Sequence, residues 1–593
     1  MFKFKLYNIW SPVLLGFLFV FALGCKNNKS TNDTENNFKN RIVIHALADP
    51  VTLNPVNYTD AFADEINHYI FQKLLDVDHY TQQLTPVLAE SRPLLTQTPE
   101  GDLQVTYKLN SKATWDNGKA ITAKDVEFSL KVVLCPGVNN ERNKPNFQLI
   151  KDFKYYDDDP LMFTIIYDET YIRAEFNSGS EYFIIPAHLY DSAGVLSKYR
   201  LLDFCDQERV IKLKNNKAIN EWSKNFNANK YSREVGNIEG SGPYRFDGWK
   251  TGQEIRLSKK KNWWGNDFSN KSSYFDIKLE YLIYKIVNDQ TTALAAFKSG
   301  EIDLMYGIRS KDYNDIENNK KLKTKLNTNS TSMLGYSYVG VNALKKELNS
   351  KNTRKALAHL IDINKIIKTV NYGYASPVTG PTHPTKKECY DSLLLPYAFD
   401  LTTARELLKL EGWTDSDHNG ILDKLVNGKK TELRLSFLTV AGSDDRLAIA
   451  NLIKNWFKEA GIELNIQNQE WSVFIQNVIK KNFDLYYGSW FGEFAPEDHT
   501  QLFHTSQIAE GSNFVNFGNT QTDALIDSIK VELNETKRNE MYKRFQRILF
   551  DEANYIFMMS PNNNIAISNE FINVKFTTVY PGFWAPGFSL KNE

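Results

Sequence analysis

The residues best placed to do chemistry sit together in Ser489-Trp490-Phe491-Gly492-Glu493-Phe494-Ala495-Pro496-Glu497-Asp498. Carboxylates stand there beside aromatic rings, a composition that holds a cation against an apolar surface. A carboxylate in a closed, water-poor cleft gains most from an ammonium that also supplies hydrogen bonds, so Glu493, Glu497 and Asp498 are the candidate acceptors, with Trp490 and Phe491 for shape. The same residues would also suit an ordinary surface loop. His499 and His504 follow, but their five-residue gap puts them on different helix faces and no third ligand is evident. Asp415, Asp417 and Asn419 with Gly420 copy the first half of an EF-hand calcium loop. Position twelve is Val426 rather than a bidentate Glu, so an acidic turn before a strand is the better reading. There is no G-x-S-x-G, no H-E-x-x-H and no assignable acid-base pair, so no catalytic residue, metal or cofactor is expected. A secreted hydrolase using the carboxylates at 493, 497 and 498 is the rival from another class.

These side chains need a scaffold, and the pattern supplies strands and helices in alternation. Phe483–Gly488 reads as a strand leading into the acidic loop, and ligands of open α/β structures bind near strand carboxyl ends and between lobes. The stretch Gly240–Gly265, GSGPYRFDGWKTGQEIRLSKKKNWWG, opens with a turn whose glycines supply backbone freedom. Tyr244, Phe246 and Gly248 then alternate with Arg245, Asp247 and Trp249, and Ile255 and Leu257 alternate with charge beyond the Thr251-Gly252 turn, predicting a β-hairpin. Arg41–Ala46 is a short strand. Apolar residues at 66, 70, 71, 74 and 75 predict a helix over Asp64–Asp76. Thr122 caps a helix through Phe128. Ile277–Val287, a helix from Asp289 closed by Gly300, and Ile302–Leu304 give the grammar of a βαβ unit. Leu201–Arg233 is polar and irregular. Later come an amphipathic helix over Arg354–Asp362, a strand over Leu433–Phe437, and helices over Arg446–Glu459 and Lys537–Phe550. A last strand is expected at Ile565–Ile567.

The wording of several segments resembles extracellular solute-binding protein family 5, the peptide- and nickel-binding receptors of ABC importers. Trp115–Ser129 (WDNGKAITAKDVEFS) carries the densest match, and Gly240–Gly265 the one that spans a whole hairpin. Others are Pro86-Val87-Leu88-Ala89-Glu90-Ser91, Ile185-Pro186-Ala187-His188-Leu189-Tyr190, and Ser299–Leu304. Tyr338-Val339-Gly340-Val341-Asn342 and Arg354–Asp362 complete a series that runs in the family's order. The resemblance implies a two-lobed α/β periplasmic-binding-protein fold of the cluster C type, with an extra subdomain in the first lobe. It implies that Trp490 walls the ligand and that Glu493 takes the place of the Asp that receives a peptide's α-ammonium. Glu replaces Asp and one residue is missing before Pro496, which leaves Glu497 and Asp498 as competitors. The Gly/Pro-rich loop Gly373–Pro384 is of the kind that closes over a ligand. The implied partners are a peptide and the permease subunits of an importer. A nickel chelate, haem or sugar is the alternative ligand.

Met1–Gly24 reads as an export signal: Lys3 and Lys5 precede the eleven-residue apolar run Val13–Leu23, against about 20 residues needed to span a bilayer. Cys25 follows as in a lipoprotein signal, although Ala22 stands where the lipobox usually has Leu. Lipid attachment at Cys25 and a flexible tether over 25–40, rich in Asn, Thr, Ser and Lys, are expected. The protein is expected on a bacterial membrane, facing the periplasm or the exterior. Without residues 1–24 the formal charge is −2, which argues against a nucleic-acid partner. The length demands at least two lobes: the expectation is lobe I over 41–334, with a subdomain inserted at about 76–184, lobe II over 335–556, and a return to lobe I at 557–593. A monomer is expected. Cys135, Cys205 and Cys389 allow one disulfide at most, and free thiols are the simpler reading.

Overall fold

A computed structural model describes residues 39–591 except 142, 270, 427 and 510; the export signal, Cys25 and the tether to residue 38 lie outside the described residues. One path of paired strands runs through the body. Its order is Glu463–Gln469, Arg434–Val440, Leu485–Phe491, Gly335–Val341, Tyr555–Ser568, Leu304–Met305, Arg41–Ala46, Tyr281–Ile286, Glu254–Lys259 and Tyr244–Lys250. Tyr555–Ser568 is the strand shared by both lobes. Its first part pairs with Gly335–Val341, and its last part pairs with Leu304–Met305 and Leu326–Ser332. His383 Nε2 lies 3.1 Å from the hydroxyls of both Ser332 and Ser560, where the chain passes between the two sets of pairings.

Two sets of apolar residues fill the two lobes. One gathers Ile42, Ile44, Leu257, Leu282, Tyr284, Ile565 and Trp584. The other gathers Val339, Val341, Phe437, Leu485, Ile453 and Met558. A separate four-stranded sheet, in the order Leu94–Gln97, Leu103–Lys108, Met162–Tyr167 and Ile150–Tyr155, packs with the helix Ala123–Leu134. That helix starts where Thr122 predicts: the Asp125 carboxylate accepts the Thr122 N–H at 2.9 Å and its hydroxyl at 3.1 Å.

The hairpin forms, with a bulge where the register shifts between Phe246 and Gly248, and Gly248 has φ +148°. Its opening glycines serve another purpose than turn freedom. A Cβ on Gly240 or Gly242 would lie 2.5 and 2.7 Å from the Ile70 carbonyl oxygen, so they are small because the backbones touch. Gly242 N–H donates to that carbonyl at 2.8 Å. This contact also corrects the first helix, which is Ala61–Ile70 and does not reach Asp76. Phe71 turns extended, Gln72 bridges to Ile184, and Leu75–Val77 pairs as a strand with Leu84–Pro86. The apolar residues at 71, 74 and 75 are buried in the apolar core from an extended chain, with Leu75 in the paired strand, and not by a helix face.

Leu201–Arg233 is helical rather than irregular: Leu202–Cys205, Gln207–Lys214, Lys217–Phe226 and Lys230–Arg233. Asp206 caps the second helix through the Arg209 N–H, and Asn216 caps the third through Ala218 and Ile219. Ile219, Trp222 and Phe226 are buried at helical spacing, a stripe hidden in a polar composition. The helix Gln290–Ser299 ends at Gly300 in the left-handed conformation, φ +84°, and leads to Leu304–Met305, parallel to Arg41–Ala46. Lys351–His359, Asp444–Glu459 and Glu535–Glu552 form the later helices. The loop at 373–384 does not hang free. Ala375–Pro377 pairs with Met559–Pro561, and Val378, Thr379, Thr382 and His383 are buried. Cys135, Cys205 and Cys389 are free thiols. Among the described residues, no helix is long and apolar enough to cross a membrane.

Candidate functional site

The strand before the acidic loop runs to Phe491, three residues past Gly488, because Trp490 and Phe491 pair opposite Tyr336 and Gly335. Trp490 is half-buried and its indole N–H has no partner among the described residues, whereas Phe491 is 73% exposed. Beyond Gly492 the chain leaves the sheet. Phe494 and Ala495 then pack with Val77, Phe176 and Val579, so the loop touches segments from near both ends of the chain.

Each predicted carboxylate already has a protein partner. Glu493 Oε1 lies 3.0 Å from Arg173 Nη2, and the same nitrogen lies 3.3 Å from Glu181 Oε1. Asp498 accepts the Tyr171 hydroxyl at 3.1 Å and the Thr500 N–H at 2.9 Å. Glu497 is held inside its own lobe, by the Lys386 ammonium at 2.9 Å and the Thr382 hydroxyl at 2.7 Å, with His499 Nε2 at 3.8 Å. Burial opposes ionisation of Glu497, but Lys386, His499 and the Thr382 hydroxyl outweigh it and hold the carboxyl below its ordinary range. Glu181 goes the other way: burial, and then the Glu493 charge, raise it. Burial disfavours the Arg173 cation, yet Glu493 and Glu181 overcome that and keep it charged.

Three groups of this site escaped sequence reading: Arg173, Lys386 and Tyr171. Their partners lie 320, 111 and 327 positions away, and no local pattern links them. A second cluster was also unmarked. His68 Nε2 is 3.1 Å and Lys73 Nζ 3.7 Å from Asp76 Oδ2, with the Lys73 ammonium over the Phe183 ring. Burial disfavours the Asp76 anion, but Lys73 and His68 lower its pKa regardless. Beside it Glu65 is buried and accepts from Tyr284 at 2.5 Å and Tyr306 at 2.8 Å. Burial outweighs those hydroxyls and pushes Glu65 up to about 7. The cavity between His68, Gln72, Lys73, Asp76 and Tyr274 has room for one water-sized occupant.

The other candidates resolve simply. Asp415, Asp417 and Asp423 come together, but Lys430 Nζ sits 2.7 Å from Asp417 and 3.3 Å from Asp423 and supplies the positive charge. Val426 ends a strand paired with Lys429–Glu432, where an EF-hand would begin a helix. His499 stacks on Phe545 at 4.6 Å, and His504 lies against Asp523 and Asp527.

Taken together, the arrangement is a two-lobed cleft edge lined with paired charges and one exposed aromatic ring. The chain as a whole is similar to known proteins. Oligopeptide-binding protein AppA of Bacillus subtilis is 26% identical over 575 residues, 95% of each chain. The solved structure of the B. subtilis AppA protein in complex with a nonapeptide superposes with a TM-score of 0.65 at 23% identity, covering 93% of this chain and 98% of that one. NikA of Brucella suis, solved with Fe(III)-EDTA, gives a TM-score of 0.72 at 20% identity, covering 93% and 100%. The family model described as "Bacterial extracellular solute-binding proteins, family 5 Middle" matches residues 83–510. The chain therefore belongs to the bacterial extracellular solute-binding proteins of family 5.

Proposed function

We propose that the chain captures peptides between its lobes and delivers them to the permease of an ABC importer. The observation that carries this is Glu493, the half-exposed carboxylate beside the exposed Phe491 whose ion pair crosses between lobes. A peptide α-ammonium matches it in charge and hydrogen-bonding capacity. Glu497 is the weaker candidate, because Lys386 already neutralises it inside one lobe. Among the described residues Asp498 is bonded only by neutral donors, the Tyr171 hydroxyl and the Thr500 N–H, and so keeps its charge for a cation. The relative named as an oligopeptide-binding protein, and its nonapeptide complex, support this ligand class.

Main-chain hydrogen bonds along the cleft would hold an extended peptide, while side chains enter wet pockets and are tolerated. Lobe I comprises 41–334 with an inserted subdomain at about 76–184 and the return at 557–593; lobe II is 335–556. Ligand contacts with both lobes shift the population toward closure. The chain works as a monomer, without catalysis, held by a lipid on Cys25 to a bacterial membrane and facing the periplasm or exterior. A metal chelate is the second reading, favoured by the likeness to NikA with Fe(III)-EDTA.

Native mass spectrometry of residues 26–593, before and after adding short peptides, tests the proposal. One peptide per chain, lost on Glu493→Ala, is the expected result. Binding that survives Glu493→Ala moves the ammonium site to Asp498 or Glu497. Retention of a metal, haem or sugar with no peptide binding rejects the ligand class.

A further inference from the structure

The residues His383-Pro384-Thr385-Lys386 form a turn, closed by the Lys386 N–H, which donates to the His383 carbonyl at 2.9 Å. Pro384 fixes φ at the turn's second position and stiffens it. The His383 ring is buried, and both of its nitrogens are engaged. Nδ1 lies 3.2 Å from the Thr385 backbone nitrogen, which can only donate, and 2.8 Å from the Thr385 hydroxyl. Nδ1 is therefore the acceptor and Nε2 carries the proton. Nε2 stands 3.1 Å from the hydroxyl oxygens of both Ser332 and Ser560. The Ser560 hydroxyl donates its own proton to the Met333 carbonyl at 2.7 Å, which leaves its oxygen to accept. Burial, and then the Lys386 charge, push the ring's pKa down to about 4, so it stays neutral and the pattern holds.

Ser332 and Ser560 mark a break in the pairing of Tyr555–Ser568. The ladder with Leu326–Ser332 ends at Ser332 opposite Asn562, and the ladder with Gly335–Val341 begins at Ser337 opposite Met559. The His383 ring joins the two strands at that break. The residues beside it in sequence hold the acidic loop. The Thr382 hydroxyl donates to Glu497 at 2.7 Å, and Lys386 Nζ lies 2.9 Å from Glu497 and 3.3 Å from the Ala495 carbonyl. We propose that His383 is a positioning residue that ties the loop bearing Glu493 to this break in the sheet. It acts through Thr382 and Lys386. Because the turn is stiff, a change in the spacing of Ser332 and Ser560 is carried to Glu497 and Ala495. A ligand held by Glu493 and a bend at the break therefore act on each other. That coupling rests on the peptide-binding reading above; the positioning itself does not.

Acetylation of residues 26–593 with N-hydroxysuccinimidyl acetate, read lysine by lysine by mass spectrometry, tests the positioning without any ligand. Lys387 is exposed and serves as the neighbouring standard, and the buried Lys131, paired with Glu127, reports on the fold. In His383→Ala the ratio of Lys386 to Lys387 labelling is expected to rise several-fold, with Lys131 still protected. His383→Gln, whose amide N–H reaches the same two hydroxyls, is expected to restore the wild-type ratio. An unchanged ratio in His383→Ala overturns the positioning role, and so does a rise at Lys131 equal to that at Lys386. Should His383→Ala fail to fold, the double variant Ser332→Ala, Ser560→Ala removes the two acceptors and must raise the ratio; if it does not, the role is rejected. Native mass spectrometry with a pool of short peptides then reads the coupling. Binding to His383→Ala is expected to be about tenfold weaker, the size of one lost buried hydrogen bond, and His383→Gln is expected to bind as wild type does. Wild-type affinity in His383→Ala, with Lys386 freed, overturns the coupling. No peptide binding by wild type, with the labelling difference kept, rejects the ligand class and leaves the positioning.

Discussion

Glu493 and Glu497 stand in one loop, four residues apart, and meet opposite surroundings. The Glu497 side chain is 20% exposed and paired with Lys386, itself 14% exposed, both in the same lobe. The Glu493 side chain is 52% exposed, and its partner Arg173 comes from the other side of the cleft. The first pair is part of the packed scaffold, because removing either member leaves a mostly buried charge without its partner. The second has one member open to water, which can take the place of its partner. The residue type is the same; solvent access and the ownership of the partner decide the role.

The largest break in this comparison is expected from Lys386→Met. It leaves Glu497 with only the Thr382 hydroxyl and the more distant His499 ring, and the expected loss is about 4 kcal/mol of stability, read from the midpoint of urea unfolding. An unchanged midpoint would place Glu497 in bulk solvent and erase the difference between the two sites.

Glu65 sharpens the comparison, since it is a buried carboxylate with hydroxyl partners and, among the described residues, no cation bonded to it. Its pKa is raised in the folded state to about 7, above the ordinary 4.5. The folded protein thus binds the proton more tightly than the unfolded chain. The associated stability is complete below about pH 4.5, falls as pH rises, and is lost above about pH 7, to the extent of no more than about 3 kcal/mol. Unfolding free energies measured across that window should fall for the wild type and lose this component in Glu65→Gln. A wild-type slope that survives the substitution would assign the proton elsewhere.

The smallest effect on global stability belongs to the pair across the cleft. Glu493→Gln is expected to shift the unfolding free energy by about 1 kcal/mol or less, as for half-exposed ion pairs. A loss as large as that of Lys386→Met would make Glu493 part of the scaffold too.

Much of the fold was legible because its signals are local. Thr122 and Asp125, the alternation in Tyr244–Phe246 and Ile255–Leu257, and Gly300 behind its helix each act within a few residues of themselves. The failures have equally specific causes. Ile219, Trp222 and Phe226 were outnumbered by the polar residues around them, so a buried stripe passed for a loop. Apolar residues at 71, 74 and 75 fit helical spacing, but the close approach of Gly242 to Ile70 ends the helix from outside. The acidic loop itself was visible, since its composition is unusual over ten residues. Its electrostatics were not, because Arg173 and Lys386 reach it only through tertiary folding.

The strand Tyr555–Ser568 has a consequence for when the protein folds. Its partners Gly335–Val341 and Leu326–Ser332 are synthesised more than two hundred residues earlier. During translation those partners leave the ribosome with one edge unsatisfied, and they stay so until nearly the whole chain has emerged. Contacts of such sequence separation are slow to form. The long sheet is therefore not completed in either half until Tyr555–Ser568 is made, and that one strand then ties both halves at once.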